Sequence, residues 1–351
     1  MSFHGSMVLH APSVHTGGGL VLLQALLAAW PSDCRLTALL DARARERVML
    51  PDGAQVRWVV ASVSARLRAE VYLSSTATAN DVVLCFHGLP PMLPNRAKSI
   101  VFLQNRLYLA GKLPPGFGLK TRVRLTCERF LSWTLRHRVA EYIVQTPSMQ
   151  RAVFRWYGAR DPSKPVVRVL PFFEALHTSP GLDAGSADWD FVYVADGEAH
   201  KNHRTLLAAW RLLAQEGLHP SLALTLNSRD IALKREIAEL TDGAALRVED
   251  LGQMPHEQVL ALYARARAMI FPSTSESFGL PLIEAMHVGL PILASELDYV
   301  RDVCRPVQTF DPTSPVSIAR AVKRFLAVPE PVLQLHSPRD FLRELLGAAY
   351  E

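Results

Sequence analysis

The sequence predicts an α/β protein made of two doubly wound domains that face a central cleft. Three observations carry that prediction. Short apolar segments rich in β-branched residues alternate with helical stretches twice over, once on each side of a polar break. Several of these segments end at Gly or Pro, as the strands of a parallel sheet do where helices follow. The break itself, residues 174–188 ("EALHTSPGLDAGSAD"), has the Ser, Gly, Ala and Asp content of a connection between domains. A chain of 351 residues is long enough to bury two cores. The expected division is a first domain over residues 1–172, a linker over 173–190, a second domain over 191–335 and a closing helix over 336–351.

In chain order, "SMVLHAPS" reads as a strand, "HTGGG" as the loop after it and "LVLLQALLAAW" as a buried helix. The strands "RLTALLD", "QVRWVV", "DVVLCFHG", "SIVFLQN" and "EYIVQT" complete the first series. The second series runs "FVYVAD" (strand), "NHRTLLAAWRLLAQEG" (helix), "SLALTLN" (strand), "IALKREIAELTD" (helix), "ALRVEDLG" (strand) and "HEQVLALYARA" (helix). It continues with the strand "RAMIFPS", a loop leading into the helix "PLIEAMHVG", and the strand "LPILAS". The end, "SPRDFLRELLGAAYE", has the pattern of an amphipathic helix. In doubly wound sheets ligands sit beyond the carboxyl ends of the strands, so the loops after strands are where chemistry is sought.

Composition narrows the class. Apolar residues make up 49% and charged residues 20%, as in a soluble globular protein. No apolar run reaches the roughly 18–20 residues of a membrane span, and the amino terminus lacks the layout of a secretory signal. The four cysteines lie far apart, without metal-ligand spacing, and read as reduced thiols in a cytoplasmic protein. A net charge of +5 favours phosphorylated ligands or an anionic membrane surface without calling for nucleic acid.

The segment "SESFGLPLIEAMHVGLP" is the most informative. Pro281 suits a first helical turn and Gly289 a helix stop. Glu276 then lies in the loop before the helix, and Glu284 on its first or second turn. The free N–H groups around Phe278, Gly279 and Leu280 make an anion site, and Gly279 lets an anion come close. A carboxylate can accept two hydrogen bonds from a vicinal diol, so Glu284 beside a phosphate site suggests a ribose. Glu276 would face whatever hangs from the phosphates. The plainer alternative is that Glu284 complements the helix dipole while Glu276 caps the end.

The stretch from "LGQMPHEQVLALYARARAMIFPSTSESFGLPLIEAMHVGLPILAS" to "FDPTSP" closely resembles the family 4 glycosyltransferases of GT-B fold, retaining enzymes with a Glu-x7-Glu motif matched by Glu276 and Glu284. The resemblance covers the second domain after residue 190 and continues in the first at "HAPSVHTGGGLVLL", "CFHGLPP" and "FLQN", which look like members that build bacterial surface polysaccharides. It implies two Rossmann-like domains with the last helix, begun by Ser337-Pro338, crossing back to the first. It also implies that Glu284 holds the nucleotide ribose and that Glu276 contacts the donor sugar. The backbone at Phe278, Gly279 and Leu280 would hold sugar hydroxyls and phosphate.

Lys201 matches the family lysine that clamps the diphosphate. The partner arginine is replaced by Asp196, a carboxylate that cannot clamp phosphate, and Arg204 is the candidate substitute. Asn202 is a candidate substrate ligand or the cap of the helix that begins at His203. Gly17, Gly18 and Gly19 would let backbone amides approach the donor, or else serve a tight turn. His87, with His15 as a weaker rival, would orient the sugar, or else be a strand-end histidine. Gln104 and Asn105 would meet donor or acceptor. "DWD", at 188–190, imitates a D-x-D metal motif but falls at the linker, so no metal or other cofactor is expected. Lys112, Lys120, Arg122, Arg124, Arg129, Arg136 and Arg138 interleave with apolar residues, as a membrane-contacting face or an ordinary solvated helix would.

The implied activity is hexose transfer, with mannose and GDP-mannose suggested, from a nucleotide diphosphate sugar to a glycan or lipid-linked glycan, with retention, in polysaccharide or O-antigen synthesis. The implied place is the cytoplasm, at the inner face of the membrane. Front-face attack is implied because no enzymic nucleophile stands out. The alternatives are another GT-B enzyme, an epimerase or a phosphorylase, and a non-catalytic sugar-nucleotide-binding protein.

Overall fold

The computed structural model describes residues 6–109, 117–158, 165–173, 187–244 and 246–329. In the first domain the apolar runs form β1 (Ser6–Ala11), β2 (Arg35–Asp41), β3 (Gln55–Val59), β4 (Val82–Cys85), β5 (Lys98–Phe102), β6 (Glu141–Val144) and β7 (Val166–Val169). Among the described residues these seven strands make one parallel sheet in the order β3-β2-β1-β4-β5-β6-β7. Helices α1 (Gly17–Ala28), α2 (Val63–Thr76), α3 (Leu119–Leu135) and α4 (Pro147–Tyr157) lie in four of the six connections. Val, Leu, Ile and Phe predominate at the buried strand positions, so both faces of the sheet need covering, which is what parallel pairing provides.

The second domain repeats the plan. Strands β8 (Trp189–Tyr193), β9 (Leu222–Leu224), β10 (Val248–Asp250), β11 (Ala266–Phe271), β12 (Ile292–Ser295) and β13 (Gln308–Phe310) form a second parallel sheet, ordered β10-β9-β8-β11-β12-β13. Around it lie α5 (His203–Gln215), α6 (Ile231–Ala244), α7 (His256–Ala264), α8 (Leu280–His287), α9 (Asp298–Val303) and α10 (Pro315–Phe325). Trp210, Tyr193, Tyr263, Tyr299, Phe191 and Phe271 fill its core.

Each sheet reverses its strand order once, between β1 and β4 in the first and between β8 and β11 in the second. These four strands are followed respectively by Gly17–Gly19 at the start of α1, His87, Lys201 and Glu276. A topological switch point is where a doubly wound sheet opens a crevice, so the connectivity alone gathers these residues.

The domains meet through matched apolar and polar contacts. Phe278 and Leu280, from the loop and helix after β11, are buried in the first domain's core beside Leu20, Leu23, Phe86 and Phe102. Thr146 caps α4, its hydroxyl accepting from Met149 N, and the same hydroxyl donates to the Ser277 carbonyl at 3.1 Å. Ser277 Oγ donates to the Gln104 carbonyl, and Ser148 N donates to Asp302 Oδ2 at 2.7 Å.

The elements lie where the apolar runs place them, with small differences. Strand β4 stops at Cys85, so His87 stands in the turn after the strand rather than at its end. The core of the linker, residues 174–186, the closing helix over 336–351 and Lys112 lie outside the described residues.

Candidate functional site

Two cavities, of about 740 and 860 Å³, lie between the domains. They share a wall made of Thr16, Gly18, Gly19, Gln104, Asp196, Lys201, Glu276 and Ser277. The smaller one extends over His87, Glu70, Tyr108, Arg66 and Arg124 of the first domain and takes in Arg229 of the second. The larger extends over Gly17, Phe278, Gly279, Leu280, Glu284, Thr225, Asn227 and His256. Of the donor- and acceptor-site residues named from sequence, all line one cavity or both except Asn202 and Arg204.

The shared wall holds an ion pair. Lys201 Nζ donates to Glu276 Oε1 at 2.7 Å, with only 19% and 11% of the two side chains exposed. The two residues meet because one carbonyl ties their loops together. His200 O accepts from Thr274 N at 2.8 Å and from the hydroxyls of Ser273 and Thr274, both at 3.1 Å. Ser273 Oγ also donates to Glu276 Oε1 at 2.6 Å, and Tyr193 Oη donates to the Lys201 carbonyl. Burial works against both charges, but each prevails. Glu276 is held below the usual carboxylate range by Lys201 and His200, and Lys201 is held above its usual range by Glu276 and Asp196. An ammonium has three donors, so Lys201 has donors to spare for an anion in the cavity.

Glu284 stands on the second turn of α8, almost wholly buried. Tyr263 Oη donates to its Oε2 at 3.1 Å, and His256 Nε2 lies 3.0 Å from its Oε1. Gly279 precedes α8 at φ +74, a conformation that favours glycine, and no side chain caps the helix there. The start of α8, Gly279 to Pro281, thus borders the larger cavity with the partial positive charge of a helix start. A Cβ on Gly18 would come within 2.6 Å of Leu280 Cδ1, so a side chain there would have to displace the end of Leu280.

His87 Nδ1 lies 3.1 Å from the His10 carbonyl. A carbonyl only accepts, so Nδ1 carries the proton and Nε2 remains an acceptor. Burial pushes this imidazole down to about 4, which keeps it neutral at physiological pH. Gln104 Nε2 donates to the Phe86 carbonyl at 2.6 Å, leaving Oε1 near Gly19.

Two sequence expectations need correction. Asn202 lies in neither cavity, and its side chain does not cap α5. It adopts the left-handed conformation at φ 63, and its amide donates to the Pro272 and Pro312 carbonyls. It braces the loop after β11. Arg204 does not stand in for the family arginine. It pairs with Glu236 at 2.9 Å and lines neither cavity, whereas Arg229 is an arginine of the second domain that lines the smaller cavity, as Asp196 does. Asn105 lines the smaller cavity, and its side chain also accepts from Leu107 N, closing the turn Arg106–Tyr108.

Elsewhere, Asp188 pairs with Arg265 and Asp190 with Arg267 and Ser221, at the end of β8 opposite the cleft. Among the described residues no cluster of three His, Cys, Asp or Glu side chains could hold a metal ion, and no helix is long and apolar enough to cross a membrane. Helix α3 presents Leu119, Val123, Phe130 and Trp133 to solvent alongside Lys120, Arg122 and Arg124, and its Arg124 and Leu131 line the smaller cavity. Sequence reasoning missed His256, Tyr263 and Ser273. Only the start of a helix after Pro255 hinted at the first.

Residues 180–336 match the model of the family described as Glycosyl transferases group 1. The chain is 32% identical over 155 residues to a serotype-specific mannosyltransferase, WbdA, of Escherichia coli, an alignment covering 42% of this chain and 18% of that protein. It is thus aligned to under a fifth of that relative's length. It is 26% identical over 278 residues to the O-antigen chain mannosyltransferase RfbU of Salmonella typhimurium, covering 79% of this chain and 76% of that one. Among solved structures, Anabaena HepE in complex with UDP and glucose superposes with a TM-score of 0.65 at 16% identity, over 92% of this chain and 90% of that one. A sucrose-phosphate synthase from Thermosynechococcus elongatus gives a TM-score of 0.66 at 19% identity, over the same shares of 92% and 90%. At these identities the likeness shows the fold, which is GT-B.

Proposed function

With residues 180–336 matching glycosyl transferases group 1 and the chain folded as a GT-B protein, we propose that this protein transfers a hexose from a nucleotide diphosphate sugar to a glycan or lipid-linked glycan, with retention at the anomeric carbon. The observation that carries the reading is the Lys201–Glu276 pair on the wall common to both cavities. One cavity supplies the helix start and carboxylate suited to a nucleotide, and the other supplies room for an acceptor.

In this reading the ribose hydroxyls donate to Glu284, and the diphosphate lies against the first turn of α8. Lys201 turns a spare N–H to the diphosphate while Glu276 accepts from a sugar hydroxyl. His87 accepts from another through Nε2. As the bond to the anomeric carbon breaks, the leaving diphosphate gains charge where the ammonium and the helix amides already point. Removing one such preorganised contact typically costs about 10²–10³ in rate. The acceptor hydroxyl attacks from the face the diphosphate leaves, and its proton passes to the departing phosphate oxygen. The likeness to O-antigen mannosyltransferases supports mannose as the hexose and surface-polysaccharide assembly as the setting. The basic, apolar face of α3 beside the smaller cavity supports contact with an anionic membrane at the cytoplasmic side, where a lipid-linked acceptor is presented.

A thermal-shift screen across UDP-, GDP-, TDP- and ADP-sugars names the donor. Product analysis then tests the reaction, with a free nucleoside diphosphate and an extended glycan expected. A rearranged sugar nucleotide, a sugar phosphate, or binding without turnover on lipid-linked acceptors would each overturn the transferase reading. Wild-type activity in both Lys201→Ala and Glu284→Ala would remove the site.

A further inference from the structure

Both oxygens of Glu284 are engaged by side chains of α7, Tyr263 on Oε2 and His256 on Oε1. An ionised carboxylate offers about four acceptor positions, two on each oxygen. Tyr263 and His256 occupy one each, which leaves one open on either oxygen. Two adjacent hydroxyls are the donors that such a pair fits. The two α7 side chains differ in kind. Tyr263 is fully buried in the core, whereas His256 is the first residue of α7 and stands on the wall of the larger cavity.

We infer that His256 is a positioning residue that locks the plane of the Glu284 carboxylate, so that both oxygens face the cavity and the site selects a vicinal diol over a deoxy sugar. The inference rests on the reading of Glu284 as the ribose ligand. The hydrogen bond to Glu284 outweighs partial burial and, with the charges of Glu284 and Glu257, holds this imidazole above its ordinary range, which strengthens the clamp. Without His256 the carboxylate keeps only the Tyr263 bond, on one oxygen, and is free to turn about its last torsion.

The experiment is calorimetric titration of GDP and UDP against 2′-deoxy-GDP and 2′-deoxy-UDP. It compares wild type with His256→Gln and His256→Ala, after thermal melts establish that both variants are folded. Losing one hydrogen bond to a charged acceptor is expected to make wild type favour the ribonucleotide by about tenfold or more. His256→Gln, whose amide N–H can reach the same oxygen, keeps most of that preference. His256→Ala brings the ratio to within about threefold by weakening the ribonucleotide alone. Full discrimination in His256→Ala overturns the inference, as does an equal loss for both nucleotides, which marks a general structural role. No preference in wild type instead removes the ribose reading of Glu284.

Discussion

Substituting Lys201 by Met isolates the ion pair on the wall shared by the two cavities. The change keeps the length of the side chain and removes its charge, so Glu276 stays enclosed with Ser273 as its remaining donor. Breaking a buried ion pair from one side costs about 3–5 kcal/mol. The surviving Ser273 bond and the adjoining cavity put this site at the lower end, about 3 kcal/mol. At roughly 2–4 °C per kcal/mol for a domain of 150–250 residues, the melting temperature should fall by about 6–12 °C. Lys201→Met/Glu276→Gln removes the stranded charge and should recover at least half of the loss. The sign of the pH dependence follows from the shifts. In the native protein Glu276 is held low and Lys201 high, so the pair stabilises from above the depressed carboxyl value up to the raised ammonium value. In the variant, burial without Lys201 raises the carboxyl, so the penalty should shrink as the pH falls from 8 towards 5. Scanning calorimetry of the four members of the cycle at pH 5 and pH 8 measures all of this. A single variant as stable as wild type, or a double variant no better than the single, refutes the account of a mutually dependent pair.

Three further outcomes are expected. Glu284→Ala should weaken nucleoside diphosphate binding by roughly tenfold to hundredfold, from the loss of hydrogen bonds to a charged acceptor, and titration calorimetry checks it. Burial keeps His10, His87, His200 and His203 below their usual range, with His87 near 4 and His203 near 3, so acid protonates the unfolded chain first. Stability should therefore fall as the pH drops from about 6.5 towards 4, and a melting temperature that holds constant or rises over that interval contradicts the assignment. Phe130→Ser with Trp133→Ser should reduce sedimentation with phosphatidylglycerol vesicles by about tenfold or more, since each side chain offers roughly 1.5–3 kcal/mol of burial, and unchanged sedimentation would remove α3 from the membrane contact.

Much of the architecture was legible because parallel strands buried on both faces are written as short apolar runs. "RLTALLD" and "EYIVQT" needed only their flanking turns to be recognised. The strand β13, "QTF", spans three residues and is only partly apolar, so no period could reveal it. Glu276 and Glu284 were legible because a loop, a Pro at the first turn and a helix fix them locally. The Lys201–Glu276 contact joins loops 75 residues apart through a backbone carbonyl, and backbone carbonyls leave no mark on side-chain identity. Arg204 misled for the same kind of reason, since helical phase turns it towards Glu236 while Arg229, from another loop, reaches the cavity. Asn202 carried a readable hint, because asparagine tolerates the left-handed conformation that the structure uses there.

Glu276 and Ser277 are neighbours in the chain yet answer to opposite lobes. The first is fastened to Lys201 and Ser273 of its own lobe, and the second hydrogen-bonds to Gln104 and Thr146 of the other. Prising the lobes apart must therefore tug on the peptide unit next to the acid, and bringing them together sets it back in place. In the proposed transfer, the position of the acid on the cavity wall is thereby tied to the contact between the lobes.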